Sequence, residues 1–128
     1  LESDPEVSEA VDFVEFYASC ALDLAKRDDI EVQPLGVVAV ISPWNFPIAI
    51  PCGGIAAALA AGNTVLLKPA SDTVLPASVL CECFWAAGVP RTALQLIPCS
   101  GNAVGNYLVG YPAVKEMILT GATQNTQR

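Results

Sequence analysis

The chain has 128 residues, the size of one domain with a buried core, and its 53% apolar against 15% charged composition excludes intrinsic disorder. Six bases against thirteen acids give a net charge of -7 and leave no basic surface for a phosphate backbone, which argues against nucleic acid as a partner. The charge is unevenly placed: residues 1–31 hold ten acids and two bases, residues 32–128 three acids and four bases.

The acidic stretch, residues 1–31, predicts a helix and a linker. Val7, Val11, Val14, Ala18, Leu22 and Ala25 recur at three- and four-residue spacings, which predicts one apolar helix face with the acids turned to water. Ser3, Asp4, Pro5 and Glu6 read as a helix start with a cap, a first-turn proline and a capping-box acid, and Lys26 and Arg27 complement the dipole at the other end. Between Glu31 and Lys68 nothing ionisable except Cys52 occurs, so a membrane span has to be weighed. Pro43, Asn45, Pro47, Pro51, Gly53, Gly54, Gly62 and Asn63 break every run of about 20 helix-compatible apolar residues and argue against one. The chain opens at Leu1 with no basic n-region, and its one methionine is Met117, so it reads as a piece excised from a longer protein.

From residue 32 the pattern alternates. Residues 35–42 (LGVVAVIS), 64–68 (TVLLK), 93–98 (ALQLIP) and 114–120 (VKEMILT) are short aliphatic runs suited to strands buried on both faces of a parallel sheet. Helices are expected between them over residues 51–61, 75–87 and 103–109, stopped by Gly62, Gly88 and Gly110. The expected fold is therefore α/β, a Rossmann-like doubly wound parallel sheet with right-handed crossovers. Gly53, Gly54 and the alanines that follow let the first of those helices lie close on the sheet.

Ligands of such sheets bind beyond the carboxyl ends of the strands, where this chain has residues 42–47 (SPWNFP), 68–72 (KPASD), 98–102 (PCSGN) and 120–123 (TGAT). Turn chemistry alone accounts for most of these letters, though not for Trp44 or Lys68. Lys68 is the one formal charge between residues 32 and 71, and a strand-end lysine can meet an anion or a hydroxyl-bearing ligand; the alternative is a lysine reaching to the surface. Asn45, held between Pro43 and Pro47, carries an amide able to donate to a developing oxyanion. Gly101 and Gly105 at a helix start suit a pyrophosphate, although they do not form the G-x-G-x-x-G fingerprint. The five cysteines are odd in number and lack framework spacing, and with no histidine a metal site is not expected. They read as reduced, buried small hydrophobes of a cytoplasmic protein, with Cys52 the best of a weak set of nucleophile candidates.

Taken together, residues 41–47 (ISPWNFP), 56–63 (AAALAAGN), 68–70 (KPA), 87–90 (AGVP) and 119–121 (LTG) closely resemble the aldehyde dehydrogenase superfamily in order and spacing, over about residues 8–126. Residues 9–13 (EAVDF) and 34–36 (PLG) are similar to its glutamate semialdehyde (1-pyrroline-5-carboxylate) dehydrogenase branch, including the dehydrogenase part of bifunctional proline-utilisation proteins. The resemblance implies that residues 32–128 are part of an NAD(P)-binding domain. It implies that Ile41, Ser42, Pro43 and Trp44 line the cofactor cleft, with Lys68, Ala70 and Ser71 at the adenosine ribose. Gly101 and Gly105 would lie near the adenine and pyrophosphate, Thr120, Gly121 and Ala122 would face the phosphates, and Asn45 would stabilise the oxyanion. The implied partners are NAD, or NADP, a small aldehyde substrate, further copies in a homo-oligomer and, in the bifunctional branch, a fused flavin-dependent proline dehydrogenase domain.

Three departures qualify the resemblance. Ser71 stands where most members carry Glu, removing a carboxylate that repels a 2'-phosphate, so NADP becomes plausible. Ala122 replaces a common serine, and Thr126 stands where many members have a second glycine. The family's nucleophilic cysteine and its water-activating glutamate lie further along than Arg128, so the expectation is an inactive piece of an active oxidoreductase. The alternatives are a non-catalytic nucleotide-binding or structural module, and an aldehyde dehydrogenase of another substrate class.

Overall fold

The computed structural model describes residues 3–100, 107–108 and 110–121. In chain order they form α1 (Ser3–Ala25), β1 (Val37–Ile41), α2 (Ala49–Ala60), β2 (Thr64–Lys68), a 3-10 turn (Ser71–Thr73), α3 (Val74–Ala86), β3 (Leu94–Leu96) and β4 (Val114–Leu119). The strands make one parallel sheet in the order β3-β2-β1-β4. This is the expected α/β architecture, and the chain reverses its direction of travel across the sheet between β1 and β4. The helix expected over residues 103–109 lies largely outside the described residues.

Side chains alternate across a strand, so Val38 and Val40, Val65 and Leu67, and Leu94 share one face. They form a single core with Cys52, Ile55 and Ala58 of α2 and Ala77, Leu80 and Cys81 of α3, which places both helices on that face. α1 lies on the outer side of α2. Two adjacent glycines make this layering possible: a Cβ on Gly54 would stand 2.8 Å from Val40 Cγ1, and one on Gly53 would stand 3.2 Å from the Phe13 ring. Of the three predicted stops, Gly62 and Gly88 take the left-handed conformation, whereas Gly110 is still helical with no positive φ. At Gly62 (φ +82°) and Gly88 (φ +105°) the chain turns out of α2 and α3, and Asn63 N and Val89 N donate back to Ala58 O and Phe84 O at 3.0 Å.

The structure corrects the expected face of α1. Val7, Val11, Val14 and Leu22 are 48%, 53%, 39% and 63% exposed, while Glu6, Ala10, Phe13, Tyr17, Cys20 and Ala21 turn toward α2. The aliphatic stripe loses because α2 offers a surface of glycine and alanine, and Ala10 and a flat ring against Gly53 approach it more closely than a row of valines. α2 itself begins two residues earlier than its Pro51 start suggests, for a reason that belongs to the site.

Candidate functional site

Three strands end level at the carboxyl rim of the sheet. Ile41 pairs with Lys68 on one side and Leu119 on the other. Beyond the last pairs, Ser42 N donates to Lys68 O at 3.2 Å, Thr120 N to Ile41 O at 3.1 Å and Ile97 N to Leu67 O at 2.8 Å. The rim therefore gathers Ile41, Ser42, Lys68 and Thr120, with Pro43, Trp44 and Asn45 leading away from one strand, Ala70 and Ser71 from the next and Gly121 from the third. Gly101, Gly105 and Ala122 lie outside the described residues. The direction of the chain reverses between β1 and β4, which puts Ser42 and Thr120 at the switch point where open parallel sheets hold ligands.

Two side chains here are buried with donors left over. Lys68 is 6% exposed, and its Nζ donates to Pro69 O at 3.2 Å. The ion pairs among the described residues, Lys26 with Asp23 and Arg27 with Asp29, lie on the surface and do not include it. The burial excludes a lysine reaching to the surface. Ser42 is 5% exposed, and its Oγ has no hydrogen-bond partner among the described residues. A buried polar group without a partner costs about 1–3 kcal/mol, so the unpartnered Ser42 hydroxyl and the spare N–H groups of Lys68, both at this rim, point to something that completes them.

The residues beyond Lys68 turn tightly, with Thr73 N and Thr73 Oγ1 donating to Ala70 O at 3.0 and 3.2 Å, and this leaves Ser71 exposed at the start of the turn. Beyond Ser42, residues 43–48 cross to α2 with Trp44 69% and Phe46 46% exposed on either side of exposed Asn45.

The far end of that loop is held from a distance. Ile48 N and Ala49 N both donate to Glu6 Oε1, at 2.7 and 3.1 Å. A helix start needs acceptors for its first N–H groups, and no side chain near Ile48 supplies one. Glu6, 42 residues upstream, supplies it and lets α2 begin at Ala49, with Pro51 harmless in the first turn. Sequence reading gave Glu6 a capping role in its own helix, and nothing in the local pattern shows the longer reach.

Of the five cysteines expected to be buried, only Cys52 and Cys81 are, while Cys83 is exposed and Cys20 and Cys99 are half-buried; the two buried thiols are not placed as nucleophiles. Burial pushes Cys52 up to about 11, helped by the nearby Cys83, and its Sγ lies 3.5 Å from Ala10 O as a donor. Burial likewise pushes Cys81 up to about 11. A recess of about 630 Å³ lies between the carboxyl-terminal halves of α1 and α2, at the opposite end of the sheet, lined mainly by Tyr17, Leu24, Ile30, Pro34, Ala57 and Ala61. Its wall is mostly apolar, with Arg27 the one charged residue of its lining, and it lies away from the strand ends, so concavity alone does not mark the site. No helix among the described residues is long and apolar enough to cross a membrane.

Comparison with known proteins agrees with this fold. The model of the aldehyde dehydrogenase family matches residues 1–128. A 1-pyrroline-5-carboxylate dehydrogenase of Anoxybacillus flavithermus is 46% identical over 94% of this chain, which spans 25% of that relative's length. Proline Utilization A from Corynebacterium freiburgense superposes with a TM-score of 0.90 at 43% identity, over 96% of this chain and 13% of its own. NADP-dependent glyceraldehyde-3-phosphate dehydrogenase from Bacillus halodurans, complexed with NADP, superposes with a TM-score of 0.89 at 34% identity, over 97% of this chain and 29% of its own.

Proposed function

Because this chain belongs to the aldehyde dehydrogenase family, we propose that it is the cofactor-binding part of an oxidoreductase that converts L-glutamate γ-semialdehyde to its carboxylic acid with NAD or NADP. The observation that carries this reading is the rim: buried Lys68 and Ser42 with unspent donors, level with Thr120, at the switch point of the sheet.

The residues present fit a dinucleotide. The ammonium of Lys68 and the hydroxyl of Ser42 are hydrogen-bond donors already desolvated, so completing them with ribose or phosphate oxygens recovers the cost of burying them. Ile41, Pro43 and Trp44 offer the apolar wall for the ring systems, Ala70 and Ser71 stand beside the adenosine ribose, and Thr120 and Gly121 face the phosphates. Gly101, Gly105 and Ala122 complete the assignment. A nicotinamide cofactor held by these residues would supply the acceptor for the hydride that leaves the substrate carbon. Ser71 places no carboxylate against a 2'-phosphate, and a neighbour of similar fold is complexed with NADP, so both cofactors are proposed.

Asn45 holds the chemistry that this chain contributes. Attack on an aldehyde carbonyl places negative charge on its oxygen, and an amide N–H2 presented on a loop between two prolines donates to that charge as it develops. The attacking thiolate is not drawn from Cys52 or Cys81, whose buried thiols are protonated at neutral pH. We place the nucleophile, and the carboxylate that activates water to release the acid, in the rest of a protein of which this chain forms about a quarter, so the chain alone is expected to be inactive. Supporting the substrate is the likeness to 1-pyrroline-5-carboxylate dehydrogenase. The Proline Utilization A chain is about twice as long as that relative, which fits a second arrangement with a fused proline dehydrogenase domain. The parent is further read as a cytoplasmic homo-oligomer.

The test is cofactor reduction by the full-length protein with glutamate semialdehyde, NAD and NADP in parallel. No reduction with this aldehyde or with short aliphatic aldehydes defeats the reading. Preference for glyceraldehyde 3-phosphate would favour the other substrate class that the glyceraldehyde-3-phosphate dehydrogenase likeness suggests.

A further inference from the structure

Asn45 sits on a segment with two anchored ends and an exposed middle. At its start, Ser42 N is tied to Lys68 O at 3.2 Å, extending the ladder of β1 and β2 by one bond. At its end, Ile48 N and Ala49 N converge on the single oxygen Glu6 Oε1 at 2.7 and 3.1 Å. Between these ties Trp44, Asn45 and Phe46 are exposed, and no side-chain hydrogen bond of theirs is found among the described residues. Pro43 and Pro47 each lock one φ angle but have no N–H with which to tie the loop down. The position of the Asn45 amide is therefore set by where the two ends are held.

We propose that Glu6 is a positioning residue for Asn45, a carboxylate on α1 that fixes the start of α2 and thereby the loop from which the amide is presented. The inference rests on the reading of Asn45 as the oxyanion donor. The physical case is that Ile48, Ala49 and Ile50 bring three unsatisfied N–H groups to the helix start and no acceptor of their own, while Pro51 has no N–H to offer. A negative charge on two of those groups is doubly suited, as an acceptor and against the positive end of the helix dipole. Glu6 is itself held in place, because one and two turns further along α1 Ala10 is buried and Phe13 closes over Gly53. Without the carboxylate, the first turn of α2 frays and residues 43–47 lose the fixed end three residues beyond Asn45. The amide then samples positions off the line of the developing charge, and a displacement of about 1 Å in a catalytic group costs about 100-fold in rate.

Glu6→Ala, Glu6→Gln and Asn45→Ala in the full-length protein test this, with kcat and KM measured below the unfolding temperature and amide exchange followed at Ile48 and Ala49. Glu6→Ala is expected to lower kcat by about 10- to 100-fold with KM within about 3-fold, and to speed exchange at those two amides. Glu6→Gln keeps an acceptor oxygen and is expected to hold kcat within about 3-fold of the unsubstituted protein. Should Glu6→Ala not fold, Glu6→Asp, one methylene short of both amides, replaces it with the same expected loss. Unchanged kcat in Glu6→Ala or its replacement overturns the proposal, and so does Glu6→Gln falling as far as Glu6→Ala. Asn45→Ala separates the two levels. If it lowers kcat while Glu6→Ala does not, the Glu6 inference alone fails; if it leaves kcat unchanged, the reading of Asn45 fails and takes this one with it.

Discussion

Replacing Lys68 by methionine separates a residue kept for a ligand from one kept for the fold. The side chain is 6% exposed and its ammonium has one hydrogen bond, to Pro69 O at 3.2 Å, so two N–H groups are buried without a partner among the described residues. Methionine has similar length and flexibility and brings no charge. Replacing a buried charged group by an apolar one of similar volume is often neutral or stabilising, so Lys68→Met is expected to leave the unfolding free energy unchanged or to raise it by about 1 kcal/mol or more. Cofactor binding is expected to move the other way. A hydrogen bond from a charged donor contributes about 1.5–3 kcal/mol, and at about 1.4 kcal/mol per factor of ten the dissociation constant should rise by about 10- to 150-fold. Denaturant midpoints and a cofactor titration followed by tryptophan fluorescence, with Trp44 on the rim as reporter, measure the two quantities in one set of samples. A variant that is destabilised and binds the cofactor as before would refute the reasoning, because Lys68 would then be serving the fold.

The layering of α2 gives a second contrast. Gly54→Ala gains about 1 kcal/mol of helix propensity but sets a Cβ 2.8 Å from Val40 Cγ1 inside the core, so a net loss of about 1–2 kcal/mol is expected in denaturant melts. Gly53→Ala meets only the Phe13 ring at 3.2 Å, which can tilt on its half-buried helix, and should be close to neutral. At the α1 seam, Ala10→Leu is expected to cost about 1–3 kcal/mol by overpacking, whereas Val11→Ala, at a side chain 53% exposed, should change little; the reverse order would restore the valine stripe as the buried face. Cys52 and Cys81 predict the alkaline limb of stability. Their thiols are raised from 9.0 to about 11 in the fold, so the native state holds protons that the unfolded state releases, and stability complete below pH 9 should fall between pH 9 and about 11. Serine at both positions should flatten that limb in pH-dependent melts.

What the sequence shows and hides follows from the range of the interactions. β2 is legible to the residue, Thr64–Lys68, because a buried parallel strand is a plain aliphatic run closed by its neighbours. The ends of α2 and α3 are legible because a glycine with positive φ is a local demand. β3 is shorter than its aliphatic run, residues 94–96 against 93–98, because pairing is limited by what lies opposite on β2. The buried face of α1 and the start of α2 depend on surfaces far apart in the chain, and a residue's own neighbours hold no trace of them. For the site, Lys68, Ser42 and Asn45 announce themselves by falling where aliphatics stop. Glu6 does not, being one acid among ten in the first 31 residues, ordinary until the fold brings it to Ile48.

That acid changes what α1 is. By charge alone the first 31 residues read as a wet segment leading a dry domain, and most of their carboxylates do face water. Yet the helix covers α2 through Ala10 and Phe13, and through Glu6 it reaches the one stretch of α2 that the sheet leaves without acceptors. The strand ends can align Ser42, Lys68 and Thr120, because parallel pairing fixes their relative height. Pairing cannot fix Asn45, which stands beyond the last strand bond on a loop. A second layer outside the sheet is needed to hold the loop's far end, and the two anchors divide the labour between cofactor rim and reacting group. Any rearrangement of α1 against α2 should therefore disturb the reacting group before it disturbs the sheet.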